Sequence, residues 1–251
     1  MTSQKDNAKI GIIAAMPSEI TGIIAEIVSP KQTVISSVTF IEGYIHEKNV
    51  VVAYSGIGKV NAAIVTTLMC THFEPRLLMM TGIAGSLHDQ LAIGDVVIAT
   101  TLFNTEKLSY PSDSDNLKNP INHQKTPLTF SPQIVNNALH TITKDFKIKY
   151  GSIATSDDFP TRKTILEFAI AHKADIIDME AAAFAQVCWA FNRDYLVIKS
   201  VSNSALDEVF LYKKDATQNL VIQEKSLIDD TAMAKAIYHA EYVALETIKT
   251  Y

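Results

Sequence analysis

Short apolar runs alternate with longer segments of helical spacing along most of the chain. β-branched residues dominate the runs, which predicts buried strands, and apolar residues recur every three or four positions between them, which predicts helices. The predicted strands are Lys9–Ala15, Val34–Phe40, Ile41–His46, Val50–Tyr54, Leu77–Thr81, Asp95–Thr100, Lys149–Ala154, Asp175–Met179 and Tyr195–Val201. The predicted helices are Glu19–Ile27, Val60–His72, Ile134–Lys144, a segment after Pro160, Ala181–Phe191 and Thr231–Thr250.

This alternation of strands and helices predicts an α/β fold with three layers, α/β/α, around a central mixed sheet. No change of composition marks a linker, and no internal repeat is visible. We therefore expect residues 1–251 to form a single domain, with residues 1–8 as a flexible N-terminus. Residues 104–132 are rich in proline, serine and asparagine, which predicts a long loop.

Charge and cysteine content exclude several classes of function. The 251 residues carry a formal net charge of −5, so a nucleic acid or an anionic membrane is not an expected partner. Cys70 and Cys188 are far apart in apolar segments, which is typical of buried thiols in a reducing compartment. No apolar run is long enough to cross a bilayer, so we expect a cytoplasmic protein. The histidines lack metal-ligand spacing, and we expect neither a metal nor another cofactor.

Candidate chemistry follows the ends of the predicted strands. Carboxylates, hydroxyls, an amide and glycine turns occur there. The segments are Met16–Glu19, Ser55–Lys59, Thr81–Ser86, Thr155–Phe159, Asp178–Glu180 and Ser202–Ser204. Because strand ends in an α/β sheet meet at one edge, we expect these segments to line one polar pocket.

Taken singly, most of these features have a structural explanation as well. Gly56–Gly58 fits plain loop geometry or a ligand cradle, and Gly82–Gly85 fits a tight turn or a close approach to a ligand. Glu19 could simply complement a helix dipole. Asp178 and Glu180 are different, because two carboxylates at period 2 after a buried strand share one face and need partners there.

Seven motifs occur in an order that resembles one known superfamily. They are KIGIIAAMPSEI (9–20), YSGIGKVNAA (54–63), TGIAGSL (81–87), IGDVVIAT (93–100), SDDF (156–159), IIDMEAAAFAQVC (176–188) and VIKSVSNSA (197–205). The chain resembles the nucleoside phosphorylase superfamily, and most closely its 5'-methylthioadenosine/S-adenosylhomocysteine nucleosidases, over residues 9 to 205. The resemblance implies a nucleoside phosphorylase-like fold, a purine nucleoside as the small-molecule partner, and a homodimer in which residues 104–132 are the candidate contributed segment.

The resemblance also implies roles for individual residues. It makes Glu19 the catalytic residue that orients the attacking water, and Glu180 its catalytic partner on the ribose side. Phe159 would stack on the purine, and the backbone of Pro160 would contact the base edge, without an N–H to donate. The full set expected to bind substrate is Ile83, Ala84, Gly85, Phe159, Pro160, Asp178, Met179, Lys199 and Ser202.

Asp178 is shorter than the glutamate that the family commonly has there, and two further positions depart from the family pattern. The nucleosidases have an aspartate that protonates N7 of the leaving adenine, whereas this chain has Asn203, whose amide can donate a hydrogen bond but cannot act as an acid. We keep Asn203 in the catalytic set. Three explanations stay open: a 6-oxopurine leaving group, a slow or repurposed nucleosidase, or an asparagine introduced to trap a ligand. Ile83 stands where the family often has a serine.

The expected reaction is hydrolysis of a purine thionucleoside to adenine and the ribosyl thio-sugar. A phosphorylase must hold a phosphate dianion, usually with arginines, but this chain has only three arginines and places Glu19 in that region. The alternatives are a hydrolase for 6-oxopurine nucleosides of the futalosine type, and a nucleoside-binding protein with little turnover. Asn203 favours both alternatives, and the retention of Glu19 and Glu180 speaks against a pure binder.

Overall fold

A computed structural model describes residues 8–105, 146–159, 161–206, 212–214, 220–222 and 229–251. Its strands are β1 (Ile10–Ala14), β2 (Val28–Ile35), β3 (Val38–Ile45), β4 (Lys48–Tyr54), β5 (Leu77–Ser86), β6 (Val96–Asn104), β7 (Ile148–Thr155), β8 (Ile176–Asp178), β9 (Asp194–Ser204), β10 (Tyr212–Lys214) and β11 (Leu220–Ile222). Its α-helices are α1 (Thr21–Ala25), α2 (Lys59–Phe73), α3 (Lys163–Ala171), α4 (Ala181–Ala190) and α5 (Asp230–Thr250), and a 3₁₀ turn spans Pro17–Glu19.

The described strands β1 to β9 form one mixed sheet in the order β2-β3-β4-β1-β5-β8-β7-β6-β9. Strand β9 also pairs with β5, so these two strands and β8, β7 and β6 between them close into a ring. Helices α2 and α4 cover one face, where Met69 and Phe184 are fully buried. Helices α1 and α5 cover the other face, with Ile23 and Val243 in its core. The predicted α/β class with helices on both faces of a mixed sheet is confirmed.

Three predicted elements have different limits in the structure. The predicted strand Val34–Phe40 is wrong, because Ser36 and Ser37 adopt positive φ angles of 48° and 66° and turn the chain between β2 and β3. Of the two interpretations of Gly82–Gly85, the tight turn is wrong, because these residues continue β5. The predicted helix Glu19–Ile27 is divided into the 3₁₀ turn and the short α1.

Some predictions lie outside the described residues. These are the helix Ile134–Lys144, nearly all of the loop 104–132 and most of the N-terminal segment. Among the helices that the structure describes, none is long and apolar enough to cross a membrane.

Strand β5 is the common neighbour that gathers the motifs. It pairs in parallel with β9, which sets Gly85 opposite Asn203. It also pairs with β8, which sets the same Gly85 opposite Ile177. Strand β8 in turn pairs with β7, with Asp178 opposite Thr155. The ends of β5, β7, β8 and β9 therefore meet at one place.

Candidate active site

Two buried carboxylates pair with one buried lysine where these strands meet, and a third, Glu19, is near enough for its charge to act on that lysine. Lys199 Nζ lies 3.1 Å from Asp178 Oδ2 and 3.3 Å from Glu180 Oε2, and its side chain is almost wholly buried. Burial alone would lower the pKa of Lys199, but the charges of Asp178, Glu180 and Glu19 together raise it. Lys199 therefore stays protonated. Three acids against one base leave this buried region with net negative charge.

Glu19 is held by backbone amides on both oxygens. Its Oε2 accepts hydrogen bonds from Ala15 N at 3.0 Å and Met16 N at 2.8 Å, and its Oε1 accepts from Ile83 N at 2.9 Å. A carboxylate offers about four acceptor sites, so about one stays available after three amides have donated. Such a fixed acceptor suits the orientation of a water molecule.

Gly82 makes this position of Glu19 possible. Its φ of +147° is one that residues with a side chain rarely adopt, and a Cβ there would lie 2.5 Å from Glu19 Oε1. The glycine in β5 therefore gives the carboxylate room against the strand, as expected where a backbone must approach another group closely.

Glu180 follows β8 and is the second carboxylate that forms an ion pair with Lys199. Its Oε1 accepts a hydrogen bond of 2.9 Å from Gly58 N, at the start of α2. Burial raises the pKa of the Glu180 carboxyl, and Lys199 opposes that rise. The Gly56–Gly58 turn is thus not a free cradle for phosphate, because it already donates an amide to a carboxylate.

The Asp178 side chain points into the protein interior, where three donor groups contact its carboxylate. Its Oδ1 accepts from the Thr155 hydroxyl at 2.7 Å, and its Oδ2 accepts from Ala181 N at 2.9 Å as well as contacting Lys199. Its side chain is wholly buried. Asp178 and Glu180 do share a partner, as their spacing predicts, and Asp178 also fixes the start of α4.

An open cleft adjoins the carboxylates at the end of β5. Its lining residues are Gly85, Ser156, Asp158, Phe159, Thr161, Ile177, Asp178, Met179, Asn203 and Ala205. Phe159 is 51% exposed, so its ring is accessible to a flat ligand. The aromatic ring, the methionine and the small residues make the cleft suitable for a planar base with polar edges.

Asn203 has a defined orientation in this cleft. The Ser202 hydroxyl donates a hydrogen bond of 2.6 Å to Asn203 Oδ1, and the same hydroxyl lies 3.3 Å from the carbonyl oxygen of Ala84. The other end of the amide, Nδ2, lies beside Gly85, which lines the cleft. The donor end of the amide thus lies next to Gly85, at the lining of the cleft.

Most of the residues expected from the sequence lie in or next to this site. Gly85, Phe159, Asp178, Met179 and Asn203 line the cleft. The others are connected to it through β5, Lys199 or Ser202; they are Glu19, Ile83, Ala84, Glu180, Lys199 and Ser202. Pro160 lies outside the described residues.

The sequence analysis assigned no individual role to four residues that support the site. Thr155 and Gly58 donate to the carboxylates, and Thr161 and Ala205 line the cleft. A signal existed for Thr155 and Gly58, since both lie in segments that follow predicted strands. Ala205 ends the motif VIKSVSNSA, but an alanine there indicated no role, and Thr161 lies in no motif.

Comparison with known proteins places the chain in a family. Residues 9–237 match the model of the Phosphorylase superfamily. The 5'-methylthioadenosine/S-adenosylhomocysteine nucleosidase of Shewanella frigidimarina is 38% identical over 78% of this chain and 86% of its own length.

Solved structures agree with this placement. The nucleosidase of Streptococcus pneumoniae, solved with 8-aminoadenine, has a TM-score of 0.80 and 27% identity over 97% of this chain and 100% of that one. Futalosine hydrolase of Helicobacter pylori has a TM-score of 0.75 and 26% identity over 98% and 99%. The chain belongs to the phosphorylase superfamily and, within it, to the family of the 5'-methylthioadenosine/S-adenosylhomocysteine nucleosidases.

Proposed function

We propose that this protein hydrolyses the N-glycosidic bond of 5'-methylthioadenosine and S-adenosylhomocysteine, releasing adenine. The observation that carries the proposal is the buried pair Asp178 and Glu180 on Lys199, with the buried Glu19 close by, beside a cleft for a planar base. The names of its relatives support the choice of substrates.

The carboxylates suit a reaction that develops positive charge. As the bond from C1' to the base stretches, the ribosyl group becomes a cation, and a fixed negative environment stabilises it. Glu180 retains acceptor capacity beyond Gly58 and Lys199, which suits a ribose hydroxyl or the attacking water. Asp178 holds Lys199 and thereby Glu180. Glu19 orients the water with its remaining acceptor site, and Phe159 and Met179 pack against the substrate.

Water fits this site better than phosphate does. A phosphate dianion would meet Glu19, Asp178 and Glu180, whereas Lys199 is the one cation that pairs with Asp178 or Glu180 in the described part of the chain. Repulsion between like charges in a shielded site costs several kcal/mol, roughly. The Gly58 amide, which could otherwise bind an anion, already donates to Glu180.

A 6-oxopurine nucleoside is the second candidate substrate. Asn203 is neutral, and its Nδ2 group can donate a hydrogen bond to N7 but supplies no proton to a leaving adenine. A leaving group that needs less help from an acid would suit this amide. The structural similarity to futalosine hydrolase supports this candidate.

We also propose a homodimer. Helix α2 is apolar on its outer side as well as its inner side, and Ile57, Val60 and Ile64 are each at least half exposed at its start and along it. A helix that is apolar all round is usually covered on both sides. Light scattering of the eluting protein would give twice the chain mass; a monomer at micromolar concentration would contradict this.

We further propose that the protein works in the cytoplasm, in the salvage of methionine. The two cysteines of the described chain are free and buried, as suits a reducing compartment. The nucleosidase reaction would supply the thio-sugar from which methionine is recovered.

The test is chromatography of the base released from methylthioadenosine, adenosylhomocysteine and inosine, each with and without phosphate. We expect adenine from the first two, independent of phosphate. Glu180→Gln, which keeps the shape of the side chain, should abolish most of the release. Hypoxanthine alone would move the assignment to the 6-oxopurine class. No base from any of them, with binding of adenine retained, would contradict an enzyme of either kind.

A further inference from the structure

Glu241 is a buried carboxylate outside the cleft, on the C-terminal helix α5. It is 8% exposed, and its neighbours along the same face include the buried Ala244 and Ile248. An acidic side chain on the apolar face of a helix is costly unless it has partners. The groups that donate hydrogen bonds to Glu241 therefore indicate what this carboxylate does.

The partners are the first amides of α1. Glu241 Oε1 accepts a hydrogen bond of 2.8 Å from Gly22 N, and the Ile23 amide also donates to this carboxylate. The residue before α1, Ile20, supplies no side-chain cap. Glu241 thus takes the place of an N-cap residue from a distance of 219 positions along the chain.

The contact requires a residue without a side chain at position 22. A Cβ on Gly22 would collide with the Glu241 carboxylate. The Thr21 hydroxyl then donates 2.9 Å back to the carbonyl of Pro17, so α1 and the 3₁₀ turn form one connected unit. Glu19 is the last residue of that turn.

We infer that Glu241 is a positioning residue for Glu19: by capping α1, it fixes the turn from which Glu19 reaches the water site. This inference rests on the proposed function, since it assigns a catalytic consequence to the contact. The pKa of Glu241 is consistent with a position close to Glu19. Burial is the main cause that raises the pKa of Glu241, and the charge of Glu19 raises it further.

The test compares Glu241→Ala with Ile248→Ala. Ile248 is a fully buried residue of the same helix, seven positions and thus about 10 Å farther along it, so its loss weakens α5 without touching the cap. We expect Glu241→Ala to lower kcat for base release by about 10- to 100-fold with KM changed less than about threefold, since a misplaced catalytic group costs this much. Ile248→Ala should lower the melting temperature but leave kcat within about twofold. Glu241→Gln keeps one carbonyl acceptor and should recover most of the rate.

A second readout needs no activity. Amide hydrogen exchange measured by NMR should show faster exchange at Ala15, Met16 and Ile83, the three donors to Glu19, in Glu241→Ala but not in Ile248→Ala. Unchanged exchange at these amides, or a kcat equal to that of the wild type, would overturn the positioning role. If the wild-type protein releases no base, the proposed function fails, and the exchange experiment still decides whether Glu241 positions Glu19.

Discussion

Lys199→Met removes the cation that Asp178 and Glu180 share. At 3.1 and 3.3 Å, each pair gains about 5 kcal/mol of attraction by Coulomb's law with an effective dielectric constant of about 20. Dehydration of Lys199 opposes this by several kcal/mol, roughly. Loss of one partner from a buried ion pair usually costs about 3–5 kcal/mol because the remaining charge is uncompensated, and we expect that loss of unfolding free energy near neutral pH.

The loss should depend on pH through Glu180. Burial raises the pKa of the Glu180 carboxyl above its ordinary 4.5 and Lys199 lowers it, so removal of Lys199 raises it further. An acid whose pKa is raised by folding binds its proton more tightly in the folded state. The variant therefore loses stability as pH rises from the unfolded pKa to the folded pKa. Lys199 itself has a raised pKa and stays charged in this range. Its titration therefore adds no pH dependence to the unfolding free energy of the wild type.

Urea unfolding at about pH 5, 6.5 and 8 measures this directly. The destabilisation by Lys199→Met should be smallest near pH 5 and grow toward pH 8, and Glu180→Gln in the same chain should recover part of it. Lys163→Met is the matched control, because its ion pair with Glu167 spans 3.7 Å and Lys163 is 80% exposed, worth at most about 0.5 kcal/mol. A loss below about 1 kcal/mol, or one that is equal at all three pH values, would refute the reasoning.

Three further predictions concern the cleft, the water site and the thiols. Asn203→Asp should raise kcat for adenine release by about 10²-fold or more, since general acid catalysis is worth that much, and an unchanged rate would show that N7 needs no acid here. Gly82→Ala should lower kcat by about 10²-fold at similar KM, because its Cβ would lie 2.5 Å from Glu19 Oε1. Steady-state kinetics measures this, and a wild-type kcat would contradict the prediction. Burial raises the pKa of Cys70 to about 11 and that of Cys188 well above its ordinary value, so mass spectrometry should find both unmodified by iodoacetamide at about pH 8 until urea unfolds the chain. Labelling of the folded protein would contradict their burial.

The layered α/β fold could be predicted because its signals are local. Buried strands such as β1 and the first half of β9, residues Tyr195–Ile198, are continuous apolar runs, and these appear in the sequence without knowledge of their partners. The turn between β2 and β3 was missed because Ser36 and Ser37 are not residues that usually signal positive φ. The length of β5 was missed because Gly82 and Gly85 are typical of turns, whereas here they give room to Glu19 and Asn203.

The candidate site was predictable to the extent that its residues follow strands. Period 2 was enough to bring Asp178 and Glu180 together, and Lys199 lies on the strand that pairs with β5. The contact of Glu241 with Gly22 could not be predicted, since 219 residues separate them and neither belongs to a motif. The role of Gly58 was open for a different reason. A glycine turn before a helix can donate to any anion, and only the fold shows that Glu180 is there.

Identification of the sugar product is the measurement that tests the central claim most directly. Methylthioadenosine would be incubated with the protein in a large excess of phosphate, and the sugar analysed by ³¹P NMR and chromatography. The carboxylates Asp178 and Glu180 on Lys199, together with the nearby Glu19, predict free 5-methylthioribose, formed by attack of water. The 1-phosphate of that sugar would contradict the account, because it would show that a phosphate dianion can bind beside Glu19 and Glu180.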